Sequence, residues 1–328
     1  MKIIRYLANK SIKAGLLLEE SYIINFDDLD VSNDNNLTKH DLYVLKNNLY
    51  NVEPLFLISL VKKNVFKIPD HIDKNKTLNI NEVELLSPIT KPNSFRDAYS
   101  FKQHVEAGRK ARNLPMIKEF DINPVYYYSN HSSISGPGNI YLNNIHLNKL
   151  DFELELSIII GKEGKNIPVN EADDFIFGFM ILNDWSARDV QVNEMKLNLG
   201  PAKGKDFSTT IGPYLVTKDE LKHKTTLSNK GNVYDLGMRA YINDKKVSSD
   251  TSKNMYWTFA EIISHISKGT TLYPGDLIGS GTCATGCLYE INLTNKTDKW
   301  LQIDDLVRLE IDELGALENK IKLENNNE

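Results

Sequence analysis

Two cysteines in 328 residues, Cys283 and Cys287, leave no room for a disulfide framework. They form a single C-x-x-x-C, with no second pair and no histidine near them in the sequence. This argues against a tetrahedral zinc site, and both read as small core fillers. Positive charge is not in excess: 39 Lys and Arg against 44 Asp and Glu give a net charge of -5, and no long Lys/Arg run occurs. Nucleic acid is therefore not the expected partner, although a few well-placed cations could still serve a small acidic ligand. Long apolar runs are missing too. The longest near the N-terminus, AGLLL, is too short for a signal-peptide core, and no stretch of about 18 apolar residues occurs, so no membrane partner is expected and the cytoplasm is the default location. There is no internal repeat. Low complexity is confined to Asn/Lys-rich pieces such as VSNDNN, KNN and the tail ENNNE, which is expected to fray.

What is present is ordinary globular material, 41% hydrophobic and 25% charged. The length suits one large domain plus a small one, neither needing a disulfide or structural metal. The runs KIIRYLA, SYIINF and LNINEVELL, separated by Asn/Asp-rich turns, predict a small β-rich N-terminal domain over residues 1–90. One helix is expected near HDLYVLKNNLYNVEPLFLISLVKK. Pro88 and Pro92 in SPITKPNS mark the linker, because each proline biases the preceding residue toward extended backbone.

Residues 91–328 form the larger predicted domain. SFRDAYSFKQHVEAGRKARN reads as an amphipathic helix entered through a loop. PVYYYSN, FELELSIIIG, FIFGFMILN, GPYLVT, LGMRAYIND, DLIGSGT, CLYEINL and LVRLEI read as strands, and NMYWTFAEIISHISKG as a helix. Many strands with scattered helices predict a β-rich α+β fold rather than a wound parallel sheet.

Four acids carry the chemical signal. In LDFELEL the polar/apolar alternation puts Glu153 and Glu155 on one face of a strand, although on this heptapeptide alone a solvated outer face is the simpler reading. FIFGFMILNDWSARD is apolar almost to Asp184, which places that carboxylate at the end of a buried strand; Ser186 and Asp189 have capping-box spacing for a helical turn just after it. Asp97 and His104, seven residues apart, would share a helix face if the helix began that early, while Ser94 and Asp97 could equally form a capping pair. Asp97, Glu153, Glu155 and Asp184 are hard oxygen donors, suited to Mg²⁺ or Ca²⁺, with Mn²⁺ a third option, rather than to zinc or copper. Two other motifs mislead. GPAKGKD is one residue short of P-loop spacing and has Asp206 in place of Ser/Thr, and GSGTCA is followed by TGCLYEI, which reads as a strand rather than the helix a dinucleotide fingerprint needs.

The runs FRDAYSFKQH, LDFELE, ILNDWSARDVQ, GPAKGKDFSTTIGP and PGDLIGSGT, in that order between about Ser94 and Leu317, resemble the fumarylacetoacetate hydrolase family. The resemblance implies a mixed β-sandwich roll as the catalytic domain, a homodimer, and a divalent ion held by the carboxylates that match at Asp97, Glu153, Glu155 and Asp184. It implies His104 as catalytic base with Glu290 as its carboxylate partner, and Lys205 as a cation that neutralises developing negative charge. Tyr99, Gln191, Thr209 and Thr282 match positions that touch substrate or metal. The implied reaction is hydrolysis of a carbon–carbon bond in a 2,4-dioxo acid of the fumarylacetoacetate or acylpyruvate type. A hydratase, decarboxylase or isomerase of 2-oxo acids is the alternative on the same fold. The chain departs from the family at Arg109, Arg112 and Asn113, which have no match to a further substrate-binding arginine, and at YYYSNH from Tyr126 to His131, where other members are YHGR-like.

Overall fold

The computed structural model describes residues 1–31, 37–68, 73, 76–111 and 113–324. Arg112, most of VSNDNN and the last four residues of the tail lie outside the described residues. The longest apolar runs become the centre of the fold. Leu154–Ile160, Ile176–Asp184 and Thr209–Thr217 are buried along their whole length and pair antiparallel with one another. Period-two alternation sends their side chains to two separate cores. Ile158, Ile160, Phe179 and Ile181 belong to one cluster, and Ile159, Phe177, Met180 and Leu182 to the other.

These strands are the middle of a 12-stranded sheet. On one side come Leu277–Gly279, then Phe95–Ala98, then Tyr126–Ser129. On the other, Thr209–Thr217 pairs with Lys2–Ala8, bringing Lys2 opposite Val216 and Ile3 opposite Leu215, so the N-terminal strands continue the same sheet. One face packs on the helix Leu55–Lys62 through Leu57, Ile58 and Leu60. The other packs on a five-stranded sheet of Gly138–Leu142, Gly315–Leu323, Leu306–Ile311, Gly237–Ile242 and Lys245–Thr251, whose Met238, Val307, Leu309 and Leu317 point inward. The fold is strand-rich α+β.

Three local expectations differ from the structure. The helix expected over HDLYVLKNNLYNVEPLFLISLVKK is two helices, Lys39–Lys46 and Leu55–Lys62, because Asn48 turns left-handed at φ 50° and Pro54 opens the second. FRDA is a strand, Phe95–Ala98, and the helix starts only at Lys102. CLYEINL is a helix, Leu288–Asn295, with Cys287 as its N-cap; its Leu, Tyr and Ile suggested a strand, but the side chain of Cys287 accepts from the Glu290 amide and sets the first turn.

Asp41 shows how a helix start is fixed here. Thr38 and Asp41 form a reciprocal capping box, and Lys63 Nζ lies 2.5 Å from the Asp41 carboxylate. Burial alone would raise this carboxyl, but the bonds from Lys63 and Thr38 outweigh it and hold it at about 2. The folded state thus prefers the ionised form, so its contribution is complete above the unfolded value of about 3.9 and fades as the pH falls toward 2. Asp41→Asn is expected to cost about 1 kcal/mol in urea denaturation near pH 7 and to cost less near pH 2.5. An equal cost at both pH values would contradict this reading.

Candidate active site

The acids converge because of strand order. Leu154–Ile160 and Phe95–Ala98 flank Leu277–Gly279, with Gly279 opposite both Ser157 and Asp97. Carboxylates from the two flanking strands meet over that glycine. A Cβ at residue 279 would lie 2.4 Å from Asp97 Oδ1 and 2.8 Å from Glu155 Oε2, so only glycine leaves room for them. The Gly281 amide then donates to both, at 3.2 Å to Asp97 Oδ1 and 3.1 Å to Glu155 Oε2. The glycines of GSGT are thus packed against negative charge, which excludes a pyrophosphate there on firmer ground than the strand once expected after them.

Asp97, Glu153 and Glu155 each offer an oxygen in a group whose members lie within 4.8 Å of one another, all three buried. The solvated outer face is therefore not what forms. Asp184 ends the strand Ile176–Asp184 and joins this trio through Lys205, whose Nζ is 2.7 Å from Asp184 Oδ2 and also bonds Glu153 Oε2. Thr209 Oγ1 lies 3.5 Å from Asp184 Oδ1, and Thr282 Oγ1 3.5 Å from Glu155 Oε1. The alternative capping roles do not form. Ser94 Oγ donates to Asp276, Ser186 Oγ donates to the Asp184 carbonyl, and the helix Arg188–Glu194 starts without a side-chain cap.

Three participants were missed in the sequence. Arg188 is buried and binds Asp151 Oδ2 through Nε at 2.8 Å, Glu153 Oε1 through Nη2 at 2.7 Å and Gln191 Oε1 through Nη1 at 3.0 Å. Asp151 also accepts from the Leu288 and Tyr289 amides at 2.7 and 2.9 Å. Tyr127 donates its hydroxyl to Asp184 Oδ2. Asp151 and Arg188 sit inside the quoted runs LDFELE and WSARD. A lone cation next to an apolar run, with an acid in the facing one, was their signal; Tyr127 carried none beyond the tyrosine cluster.

The electrostatics follow from burial. Burial and the nearby Asp184 push Asp97 up to about 8. Burial and Asp97 raise Glu155 well above the carboxylate range, and burial raises Asp184 despite Lys205. Glu153 goes the other way: burial would raise it, yet Lys205 and Arg188 hold it at about 2. Lys205 is not a solvated loop lysine, since burial works against its charge while Asp184 and Glu153 more than restore it. Five buried carboxylates thus face two buried cations. The remaining negative charge, oxygen-only and crowded, is what a hard divalent cation neutralises, so the residues present fit Mg²⁺, Ca²⁺ or Mn²⁺.

Beside the acids stands a buried His/Glu pair. His104, on the helix Lys102–Ala111, has Nδ1 2.6 Å from Glu290 Oε2. The same oxygen accepts from the Thr285 amide at 2.9 Å. Thr285 holds a left-handed φ of 58°, secured by a 3.1 Å hydroxyl contact with Ser248 and by the adjacent Ala284 amide donating to Asp250 at 2.8 Å. The Tyr99 ring meets His104 edge-on at 5.8 Å. Both cysteines are free and buried, as core fillers would be, but Cys287 does have a histidine near it, because His104, Cys287 and Glu290 offer ligand atoms within 4.8 Å of one another.

If the acid trio takes a divalent ion, adding Mg²⁺ at a hundredfold excess over its dissociation constant should stabilise the protein by about 2.7 kcal/mol. Gly279→Ala, whose methyl intrudes between Asp97 and Glu155, should abolish most of that gain. Thermal denaturation with Mg²⁺ and with chelator reads both; an unchanged Mg²⁺ shift in the alanine variant would count against the trio as the binding site.

This geometry has counterparts. Residues 93–322 match the model for the fumarylacetoacetate (FAA) hydrolase C-terminal region. The chain is 38% identical over 198 residues to a fumarylacetoacetase of Oryza sativa subsp. japonica, which is 49% of this chain and 46% of that protein. It therefore spans about half the length of the plant fumarylacetoacetases it matches. With oxaloacetate tautomerase fahd2, mitochondrial, of Xenopus laevis it is 31% identical over 252 residues, 76% of this chain and 72% of that protein. Among solved structures, the fumarylacetoacetate hydrolase of the psychrophile Exiguobacterium antarcticum superposes with a TM-score of 0.71 at 23% identity, covering 99% of this chain and all (100%) of that one. The fumarylpyruvate hydrolase of Pseudomonas aeruginosa, in complex with Mn²⁺ and pyruvate, gives 0.55 at 22% identity over 70% of this chain and 90% of that one. The named relatives are enzymes, hydrolases in some cases and tautomerases in others. Among the described residues no helix is long and apolar enough to cross a membrane. With the family model covering most of its length and a relative aligned over three quarters of it, the chain belongs to the fumarylacetoacetate hydrolase family.

Proposed function

We propose that this chain is a divalent-metal-dependent hydrolase that cleaves a carbon–carbon bond in a 2,4-dioxo acid of the fumarylacetoacetate or acylpyruvate type. The observation that carries the reading is the buried His104–Glu290 pair, 2.6 Å apart, next to an oxygen-only acid cluster. Held by Asp97, Glu153 and Glu155 with Asp184 alongside, a divalent ion would supply Lewis-acid polarisation of the substrate's oxo groups.

The rest falls to the chain's own residues. A Glu290 carboxylate that accepts from Nδ1–H leaves His104 Nε2 with its lone pair free for a water proton. Glu290 also stabilises the imidazolium that results. The hydroxide equivalent adds to the distal carbonyl carbon; the bond between that carbon and the central methylene then breaks, and its electron pair leaves as an enolate. That enolate takes a proton back from His104, giving a carboxylic acid and a 2-oxo acid. Lys205, held buried by Glu153 and Asp184, presents positive charge toward the developing oxyanion. Tyr99, Gln191, Thr209 and Thr282 complete the substrate wall in this reading. The family resemblance supports a homodimer.

A second reading has its own support, because the Xenopus tautomerase is matched over 72% of its length, against 46% for the rice fumarylacetoacetase. There His104 would take the proton from carbon rather than from water, and no bond between carbons would break. Incubating the protein with acylpyruvates, fumarylacetoacetate and oxaloacetate, with Mg²⁺ and with chelator, separates the two by product. Release of pyruvate or acetoacetate plus a carboxylic acid is expected, falling about 10²- to 10⁴-fold in His104→Ala. Keto–enol interconversion without any acid released would favour the tautomerase, and turnover that survives complete metal removal would sink both.

A further inference from the structure

The acid trio is not the only place where ligand atoms converge. His104, Glu290 and Cys287 come from two helices and each offer one ligand atom, a ring nitrogen, a carboxylate oxygen and the sulfur, within 4.8 Å of one another, with His104 Nδ1 2.6 Å from Glu290 Oε2. The spacing has a local cause. Cys287 is the N-cap of Leu288–Asn295 and Glu290 its third residue, the capping-box interval, so both side chains gather at one helix end. His104, 186 residues from Glu290 in sequence, reaches that end from Lys102–Ala111.

We propose that this triad is a second cation site, selective for a borderline-soft ion such as Zn²⁺, and that filling it switches the enzyme off. Its donor set differs in kind from the neighbouring one. Asp97, Glu153 and Glu155 offer oxygen alone and favour Mg²⁺, Ca²⁺ or Mn²⁺. The triad offers imidazole, thiolate and carboxylate, a set that binds Zn²⁺ or Co²⁺ far better than hard ions. Zinc bonds of about 2.0–2.3 Å put neighbouring ligand atoms roughly 3.3–3.8 Å apart in a tetrahedral shell. The His104–Glu290 hydrogen bond of 2.6 Å therefore has to open by about 0.7–1.2 Å. The Glu290 side chain can give that much, since the Thr285 amide is its other bonded partner.

The exchange balances without any redox step. One Zn²⁺ enters, the thiol proton leaves to the buffer, the ring proton passes from Nδ1 to Nε2 by exchange with water so that the imidazole stays neutral, and a water takes the fourth position. Two things are then lost to catalysis: the Glu290 carboxylate as partner of the ring, and the ring's freedom to become imidazolium. That consequence rests on His104 being the base; the binding itself does not.

The test uses the full chain with Mg²⁺ in large excess, so that the acid trio is already supplied. Titration with Co²⁺ is expected to produce a thiolate-to-cobalt absorption band that saturates near about one equivalent and bleaches when Zn²⁺ is added. Cys283→Ser should keep the band and Cys287→Ser should lose it. Serine is itself a strong N-cap, so the Cys287→Ser protein keeps its helix start. In turnover assays Zn²⁺ should inhibit the natural protein, and at least about tenfold more should be needed in Cys287→Ser. No thiolate band in the natural protein, or a band that persists in Cys287→Ser, overturns the site. Equal zinc inhibition of both proteins overturns it as well, placing the zinc in the acid trio instead. A Cys287-dependent band with undiminished turnover would leave the site standing and count against His104 as base, so the two failures are distinguishable.

Discussion

Everything at this site depends on gathering carboxylates where water cannot solvate them. Two unit charges 4 Å apart repel by roughly 4 kcal/mol at the effective dielectric near a protein surface, and more in the interior. Asp97, Glu153, Glu155 and Asp184 are all buried; Asp97, Glu155 and Asp184 sit on strands that cannot move apart without breaking the sheet, and Glu153 immediately precedes the strand Leu154–Ile160. The sheet therefore enforces a proximity that the charges oppose. Lys205 and Arg188 relieve it on the Glu153 side, which is why Glu153 alone is held low while Asp97 and Glu155 are pushed up. The imbalance is spatial as well as numerical: both cations bond Glu153, and neither bonds Asp97 or Glu155. The uncompensated side, between Asp97 and Glu155 over Gly279, is where a dication gains most.

The same constraint couples the acids to the His/Glu pair. Arg188 bridges Glu153 and Asp151, and Asp151 accepts the first two amides of Leu288–Asn295. A carboxylate at a helix N-terminus is favoured both by those free amides and by the aligned peptide dipoles. Glu290 follows one residue later on that helix. A continuous run of bonds thus leads from an acid of the trio, through an arginine and an aspartate, to the residue that holds the histidine. Removing Arg188 would leave Asp151 buried without its cation, and removing Asp151 would leave Arg188 to Glu153 alone and two helix amides without their acceptor, so this strut behaves as one unit.

How much of this was legible in the sequence follows from the range of each interaction. Glu153 and Glu155 could be paired from alternation alone, and Asp184 from the abrupt end of an apolar run, because both signals are local. Asp97 was recognised as an acid of interest but assigned to a helix. Its strand forms between Leu277–Gly279, some 180 residues away, and Tyr126–Ser129, about 30 residues away, and no pattern within FRDA announces either partner. CLYEINL failed for the converse reason: its side chains favour a strand, and a cysteine, a weak cap by composition, decided for helix. The reading of Cys287 as filler was sound for burial yet blind to His104, since adjacency in space is what the intervening sheet creates. Arg188 and Tyr127 touch the acids through tertiary contacts alone.

The arrangement also explains why one fold in this family serves hydrolases and tautomerases alike. Both reactions need a 2-oxo acid whose negative charge is stabilised as it delocalises onto oxygen, and the acid cluster with Lys205 meets that need whichever bond changes. With His104 as the base, as proposed, the two would differ in what stands before the imidazole, a water aimed at a carbonyl carbon or a C–H bond of the substrate itself. That choice lies with the wall facing His104. Arg109, on the same helix as His104, is spent on its own turn, donating to the Pro115 carbonyl at 2.5 Å. The Tyr99 ring stands edge-on both to His104 and to the buried Phe120, so the imidazole's neighbour on that side is held by the core.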